Sequence, residues 1–202
     1  AIHVDPHVRA AGEAPPHIET QRVDHGDALL EEPRGALQLV QPLQLRELLT
    51  GLGCTDVRTL LNSGNALYSA PDSAPGRHAA PIQAALAEQL GVSCTVIVKS
   101  AAEIAAVVAG NGQYAAATDP SRLLVAFAGD AATLAELAPL GKGDWAPESL
   151  QLGRHAAYVW CPRGIIDSKL MLALGRLLGE RVTTRNWATV GKIDAMLRDS
   201  AG

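Results

Sequence analysis

The run Thr183-Thr184-Arg185-Asn186-Trp187 gathers side chains suited to holding an anion. An arginine guanidinium pairs with carboxylate or phosphate through two parallel hydrogen bonds. If the run ends a strand and opens a helix, the first helical amides also favour negative charge. Trp187 offers a ring to stack on, and Lys192 can add a second charge. A plainer reading competes: Asn186 caps the helix, Trp187 joins the core and Arg185 makes a structural ion pair. Ser63-Gly64-Asn65 supplies successive backbone amides and two polar side chains, a nest-like anion site. The same three residues also suit an ordinary hairpin turn, where glycine and asparagine tolerate positive φ. The candidate ligand-binding set is therefore Arg185, Asn186, Thr183, Thr184, Lys192, Ser63 and Asn65.

Other groupings point away from chemistry. Ser168 and Lys169 are adjacent, but neighbours on a helix diverge by about 100°, so they cannot converge as an acylating pair. Ser168 reads as a helix N-cap instead. His3 and His7 have the i, i+4 spacing of zinc ligands, but Pro6 lies between them and no third ligand is near. His78 and His155 have no acid or nucleophile beside them in sequence. There is no Gly-x-Ser-x-Gly elbow, phosphate-loop lysine or dinucleotide glycine motif. No catalytic residue, metal site or cofactor is assigned.

The elements that must position these residues lie in a chain of 202 residues, long enough to bury a core unaided. Hydrophobic residues make up 48 % and charged residues 19 %, which excludes wholesale disorder. No apolar run approaches the roughly 18 residues of a membrane span, and the first residues lack a signal-peptide layout. Cys54, Cys94 and Cys161 are odd in number and widely spaced, so they read as buried thiols in a reducing, cytoplasmic setting. The net charge of −4 sits in residues 1–35, where seven acids face three bases; the other residues hold fourteen of each sign. That balance lacks the basic excess of a nucleic-acid binder. Residues 1–35 also carry four of the six histidines and no sustained periodicity. They are expected to form a poorly ordered arm.

Leu45, Leu48, Leu49 and Leu52 mark one helical face, ended by Gly53. Val57–Leu61 and Ala66–Tyr68 read as a hairpin around Asn62–Asn65. Ile82, Leu86 and Leu90 mark a second helix before Gly91, and Cys94–Val98 has strand composition. Ser100 and Glu103 form a capping-box signature for a helix carrying Ile104, Val107 and Val108. After a break at Gly110–Pro120 the order returns. Leu123–Phe127 is a strand, and Asp130 caps a helix with Leu134 and Leu137. Leu150–Leu152 and Ala156–Trp160 form a hairpin. Ser168 starts a helix with Leu170, Leu174, Leu177 and Leu178, and Arg181–Thr184 closes the set. A last helix follows Asn186, with Trp187, Val190, Ile193 and Leu197 inward. This is an α+β chain of two tandem ferredoxin-like (βαββαβ) repeats, residues 36–118 and 119–202. The leading strand of the first repeat is weak or missing, with Ala36–Val40 as its best candidate.

Leu45-Arg46, Leu52-Gly53, Asp56-Val57-Arg58-Thr59 and Ser63-Gly64-Asn65 carry a family resemblance in the first half. Ser168-Lys169-Leu170, Thr183–Trp187, Thr189-Val190 and Lys192 carry it in the second. Over residues 43–198 the chain resembles the bacterial family called domain of unknown function 1697. That resemblance implies two ferredoxin-like repeats and no particular activity. The family opens with a strand running into Arg-Gly-Ile-Asn-Val-Gly-Gly, which nothing before Leu43 matches. Either the first strand and glycine loop are lost, or residues 1–42 are read from a shifted frame. Sequencing the gene tests the second idea, and the absence of any frame encoding that strand would end it.

Three functions compete. The first is a module binding an anionic small molecule, such as a phosphorylated metabolite or nucleotide. The second is an interaction or scaffold protein, including a homodimer joined at a sheet edge exposed by the missing strand. The third is an enzyme whose cleft would have to unite Arg185, Lys192 and Ser63.

Overall fold

The computed structural model describes residues 2–4, 9–10, 40–60, 64–70, 75–113 and 117–199, the first two segments as backbone. The first half runs β1 (Ile2–Val4), β2 (Arg9–Ala10), α1 (Pro42–Gly51), β3 (Thr55–Leu60), β4 (Asn65–Ser69), α2 (Ala79–Leu90), β5 (Val92–Ser93), β6 (Val96–Val98) and α3 (Ala101–Ala109). The second runs β7 (Leu123–Ala128), α4 (Ala131–Ala135), β8 (Ser149–Leu152), β9 (Ala157–Trp160), α5 (Lys169–Leu178), β10 (Val182–Asn186) and α6 (Trp187–Asp199). Two antiparallel four-stranded sheets result, ordered β3-β4-β1-β6 and β10-β7-β9-β8, and β2 pairs separately with β5. The fold is thus mixed α+β.

The leading strand differs from expectation. The first sheet uses Ile2–Val4, which pairs with β4 on one side and β6 on the other. That position in the sheet is therefore filled by Ile2–Val4. Val40 belongs to no strand, and residues 36–39 lie outside the described residues. Three residues with a histidine at the centre are too short to show a period of two, so composition concealed them. Of the expected arm, Ile2–Val4 and Arg9–Ala10 are strands; residues 1, 5–8 and 11–35 lie outside the described residues.

Local chemistry sets the helix ends. Ser100 and Glu103 exchange the two hydrogen bonds of a capping box at the start of α3. Asp130 accepts from the Thr133 amide at the start of α4, and Ser168 from the Met171 amide at the start of α5. Gly53 and Gly91 follow α1 and α2 at φ of 85° and 66°, a region costly for residues with a Cβ. The expected helical faces are buried in the main, but Leu52 and Leu177 are each 40 % exposed. Leu52 is the C-cap just past α1, and Leu177 falls outside the buried stripe of Leu170, Leu174 and Leu178. Cys94–Val98 is interrupted, with strand at Val92–Ser93 and Val96–Val98 only.

β7 explains how the halves are joined. It is buried along its whole length, as a strand covered on both faces must be. Leu124, Ala126 and Ala128 point to one side and meet Leu134, Leu137, Leu170 and Leu174 of the second half. Leu123, Val125 and Phe127 point to the other side. There they meet Ile97, Ile104 and Val107 of the first half together with Val190 and Ile193 of α6. A separate core packs Leu45, Leu49, Ile82 and Leu86 on the first sheet. The shared core makes α3 and α6 neighbours, and the candidate site lies at its margin. Among the described residues no helix is long and apolar enough to cross a membrane.

Candidate functional site

β10 delivers Arg185 to the junction between the halves. In its ladder Thr183 pairs with Phe127 and Arg185 with Val125, so both share the strand face of the joint core. Thr184 pairs with Ala126 and takes the opposite face. The Arg185 side chain reaches across to the first half, where its Nε donates to Asn65 Oδ1 at 2.8 Å. Its Nη1 donates to the Thr184 carbonyl and, at 3.4 Å, to Thr183 Oγ1. Asn65 is 2 % exposed at the start of β4. Its Nδ2 donates to the Leu60 carbonyl at 3.4 Å, which leaves Oδ1 turned toward the guanidinium. Burial lowers the Arg185 pKa to about 10. At neutral pH the group still carries its charge.

The other expected site residues go elsewhere. Asn186 Oδ1 accepts from the Thr189 amide at 2.9 Å, the capping role of the plainer reading. The Trp187 amide donates to the Pro120 carbonyl at 3.2 Å, and its ring packs on the joint core. Lys192 is exposed on α6, and Ser63 lies outside the described residues. Of the candidate set, then, Thr183, Thr184, Arg185 and Asn65 come together. Thr184 contributes its carbonyl rather than its hydroxyl.

A second polar region sits on the same hairpin. Arg58 pairs with Leu67 in the β3–β4 ladder, as Leu60 pairs with Asn65. Arg58 Nη2 donates to the Met196 carbonyl near the end of α6, at 3.0 Å. A cleft of about 550 Å³ opens beside it, lined by Asp56, Val57, Arg58, Leu67, Tyr68, Ser69 and Leu197. Burial, with Cys54 nearby, raises the Tyr68 phenol to about 12, so it stays protonated at neutral pH. The motif Asp56-Val57-Arg58-Thr59 carried the signal for this region. From sequence Val57–Leu61 reads as a strand and Asp56–Thr59 as part of the family resemblance, and neither points to a cleft, because the α6 end that completes it is far off in sequence.

Two further clusters hold the framework. Glu103 Oε1 lies 3.4 Å from Lys99 Nζ and 3.6 Å from His155 Nδ1, so an acid of the first half sits between a lysine of its own half and a histidine of the other. Glu148 Oε2 accepts from Ser168 Oγ and the Leu170 amide, both at 2.9 Å, and so supports the start of α5. Cys54, Cys94 and Cys161 are buried free thiols, as expected. Among the described residues no three His, Cys, Asp or Glu side chains gather as a metal site.

Two antiparallel sheets sharing a helical core, with an arginine-centred polar junction, define an α+β protein of two coupled halves. The chain belongs to the family described as protein of unknown function DUF1697, whose profile matches residues 35–158. That match takes in residues 35–42, ahead of the expected start at Leu43, and ends before the Thr183–Trp187 run. No curated protein matches the chain. Among solved structures it is similar to the conserved bacterial protein SP0830 from Streptococcus pneumoniae. The two align with a TM-score of 0.64 at 20 % identity, over 79 % of this chain and 89 % of that one. The likeness is one of fold.

Proposed function

We propose that the protein binds an anionic small molecule, a phosphorylated metabolite or nucleotide, at the junction of its halves. Arg185 is the anchor, and the observation that carries this reading is its environment. Its guanidinium is held at the junction of the halves, with Asn65, Thr183 and Thr184 among the groups it donates to. A guanidinium fixed in a partly buried place offers an anion charge-assisted hydrogen bonds at little further ordering cost. Asn65→Asp tests the reading, because it sets a carboxylate against the guanidinium without removing it. A nucleotide or sugar phosphate at about 100 times its Kd should raise the parent Tm by about 5–10 °C. The same ligand should leave Asn65→Asp unmoved. A flat screen on a cooperatively melting parent would sink the proposal.

The scaffold we infer is a tandem of ferredoxin-like repeats. Counted within each half and leaving aside the β2–β5 pair, both sheets run fourth, first, third, second strand. The repeats are residues 36–118 with β1 added, and residues 119–202. Three buried free thiols favour a reducing, cytoplasmic location. A partner-binding role is the second reading. Its support is the apolar surface at the start of α5, where Ile166 is 98 % exposed beside Ile165 and near Leu172. Light scattering at tens of micromolar tests its homodimer form, and a monomer would remove it.

A further inference from the structure

We propose that the turn ahead of α5 is a docking surface for a second copy of this chain, joined across a two-fold axis at Ile165. The inference rests on the partner-binding reading above and names its partner and its mode of contact. It shares no residue with the anion site at Arg185.

The turn holds apolar side chains out in water on a fixed backbone. Cys161 and Ser168 are buried at its two ends. Between them the Gly164 amide donates to the Cys161 carbonyl, and the Ser168 amide to the Ile165 carbonyl. Arg122 Nη1 donates to the Pro162 carbonyl, and the Ser168 hydroxyl to Glu148 Oε2. A segment tied at so many points loses little freedom on binding. Yet Ile166 is almost wholly exposed, Ile165 is exposed beside it, and Leu172 is exposed one turn into α5. Helical side chains tilt toward the helix N-terminus, so Leu172 leans toward the turn. Apolar side chains gathered in this way mark a contact surface.

The charges on the turn indicate the partner. Arg163-Gly164-Ile165-Ile166-Asp167 runs from a base to an acid through two isoleucines. Arg163 and Asp167 are both exposed, and among the described residues neither makes an ion pair. Laid antiparallel against its own copy about Ile165, the turn sets Arg163 of each chain opposite Asp167 of the other. The same alignment sets Ile166 opposite Gly164. Gly164 has no Cβ, and nothing lies within 4 Å of the place a Cβ would take, so an isoleucine has room there. A two-fold contact repeats each pair, so one surface supplies both sides of the match. A partner of a single charge would be matched at one end of the turn and opposed at the other.

Sedimentation velocity of the full chain, from micromolar to hundreds of micromolar, tests this. The parent should form dimers by tens of micromolar. Ile166→Ser, Arg163→Asp and Asp167→Arg should each weaken dimerisation at least about tenfold, the last two because they set like charges against each other. Mixed in equal amounts, Arg163→Asp and Asp167→Arg should regain parent-like association, since every pair across the axis is then opposite again. All three side chains are exposed, so the variants should keep the parent's Tm. A dimer that persists in Ile166→Ser, or a mixture that fails to recover, would overturn this surface and leave the partner-binding reading standing. A parent that stays monomeric would overturn it together with the homodimer form of that reading. Parent monomers that sediment with phosphatidylglycerol vesicles through Ile166 would also overturn it, and would give the turn to a lipid surface.

Discussion

Asn65 fixes the position of Arg185, and the pair bridges 120 positions of sequence. Hydrogen bonds to charged groups contribute about 1.5–3 kcal/mol. Asn65→Ala should therefore destabilise the protein by about that amount, read as a lower urea midpoint. An unchanged midpoint would show that the bond does not hold the junction. Glu103 makes a second prediction. Burial alone would raise its pKa, but the Ser100 amide and the Lys99 ammonium outweigh that and hold it below the usual glutamate value. A folded value below the unfolded one means the stabilisation is present above the unfolded pKa of about 4.3. It is lost as pH falls through the folded value. Glu103→Gln should accordingly flatten the acid limb of the stability curve below about pH 4.3 and remove that proton-linked slope. An acid limb identical to the parent's would exclude the mechanism. Arg185 was legible in sequence because its motif is local. Asn65 was singled out too, but as part of a turn, since nothing in one sequence says which distant oxygen a guanidinium will meet.

Helix ends were legible for the same local reason, and strand partners were not. Ser100, Asp130 and Ser168 all cap as their spacing indicated. Ser168→Ala should cost about 1 kcal/mol, seen as a fall in Tm of about 2–4 °C. Glu148, which contacts the same helix start from 20 residues upstream, had no signal beyond being an acid. β1 is the larger omission. A helix declares itself over four turns of periodicity, whereas a three-residue strand is defined by its neighbours. His3 pairs with Asn65 on one side and Ile97 on the other. A proline there removes a ladder donor from a strand flanked on both sides. His3→Pro should cost about 1–3 kcal/mol and speed amide exchange in β4 and β6 while leaving β7 protected. Unchanged exchange at Ala66 and Ile97 would mean the sheet does not depend on Ile2–Val4.

Repetition in the order of elements marks two halves along the chain, and the core they share should tie their unfolding together. Neither half can leave without exposing Leu123, Val125 and Phe127 or stripping Ile97, Ile104 and Val107. Tyr158 adds a polar tie at the same place, since its buried hydroxyl donates to the Val107 carbonyl at 2.7 Å. Tyr158→Phe would leave that carbonyl without its donor, at a cost of about 1–3 kcal/mol. The chain supplies natural reporters for each half. All three tryptophans, Trp145, Trp160 and Trp187, lie in the second half, while Cys54 and Cys94 lie buried in the first. Tryptophan fluorescence and labelling of Cys54 and Cys94, read peptide by peptide because Cys161 lies in the second half, should therefore trace the same urea transition. In Tyr158→Phe both curves should move to lower urea together, because the bond removed belongs to neither half alone. If labelling of Cys54 and Cys94 preceded the fluorescence change, or if only one curve moved, the halves would be separable domains. The polar junction at Arg185 would then lie at a hinge rather than inside a single cooperative unit.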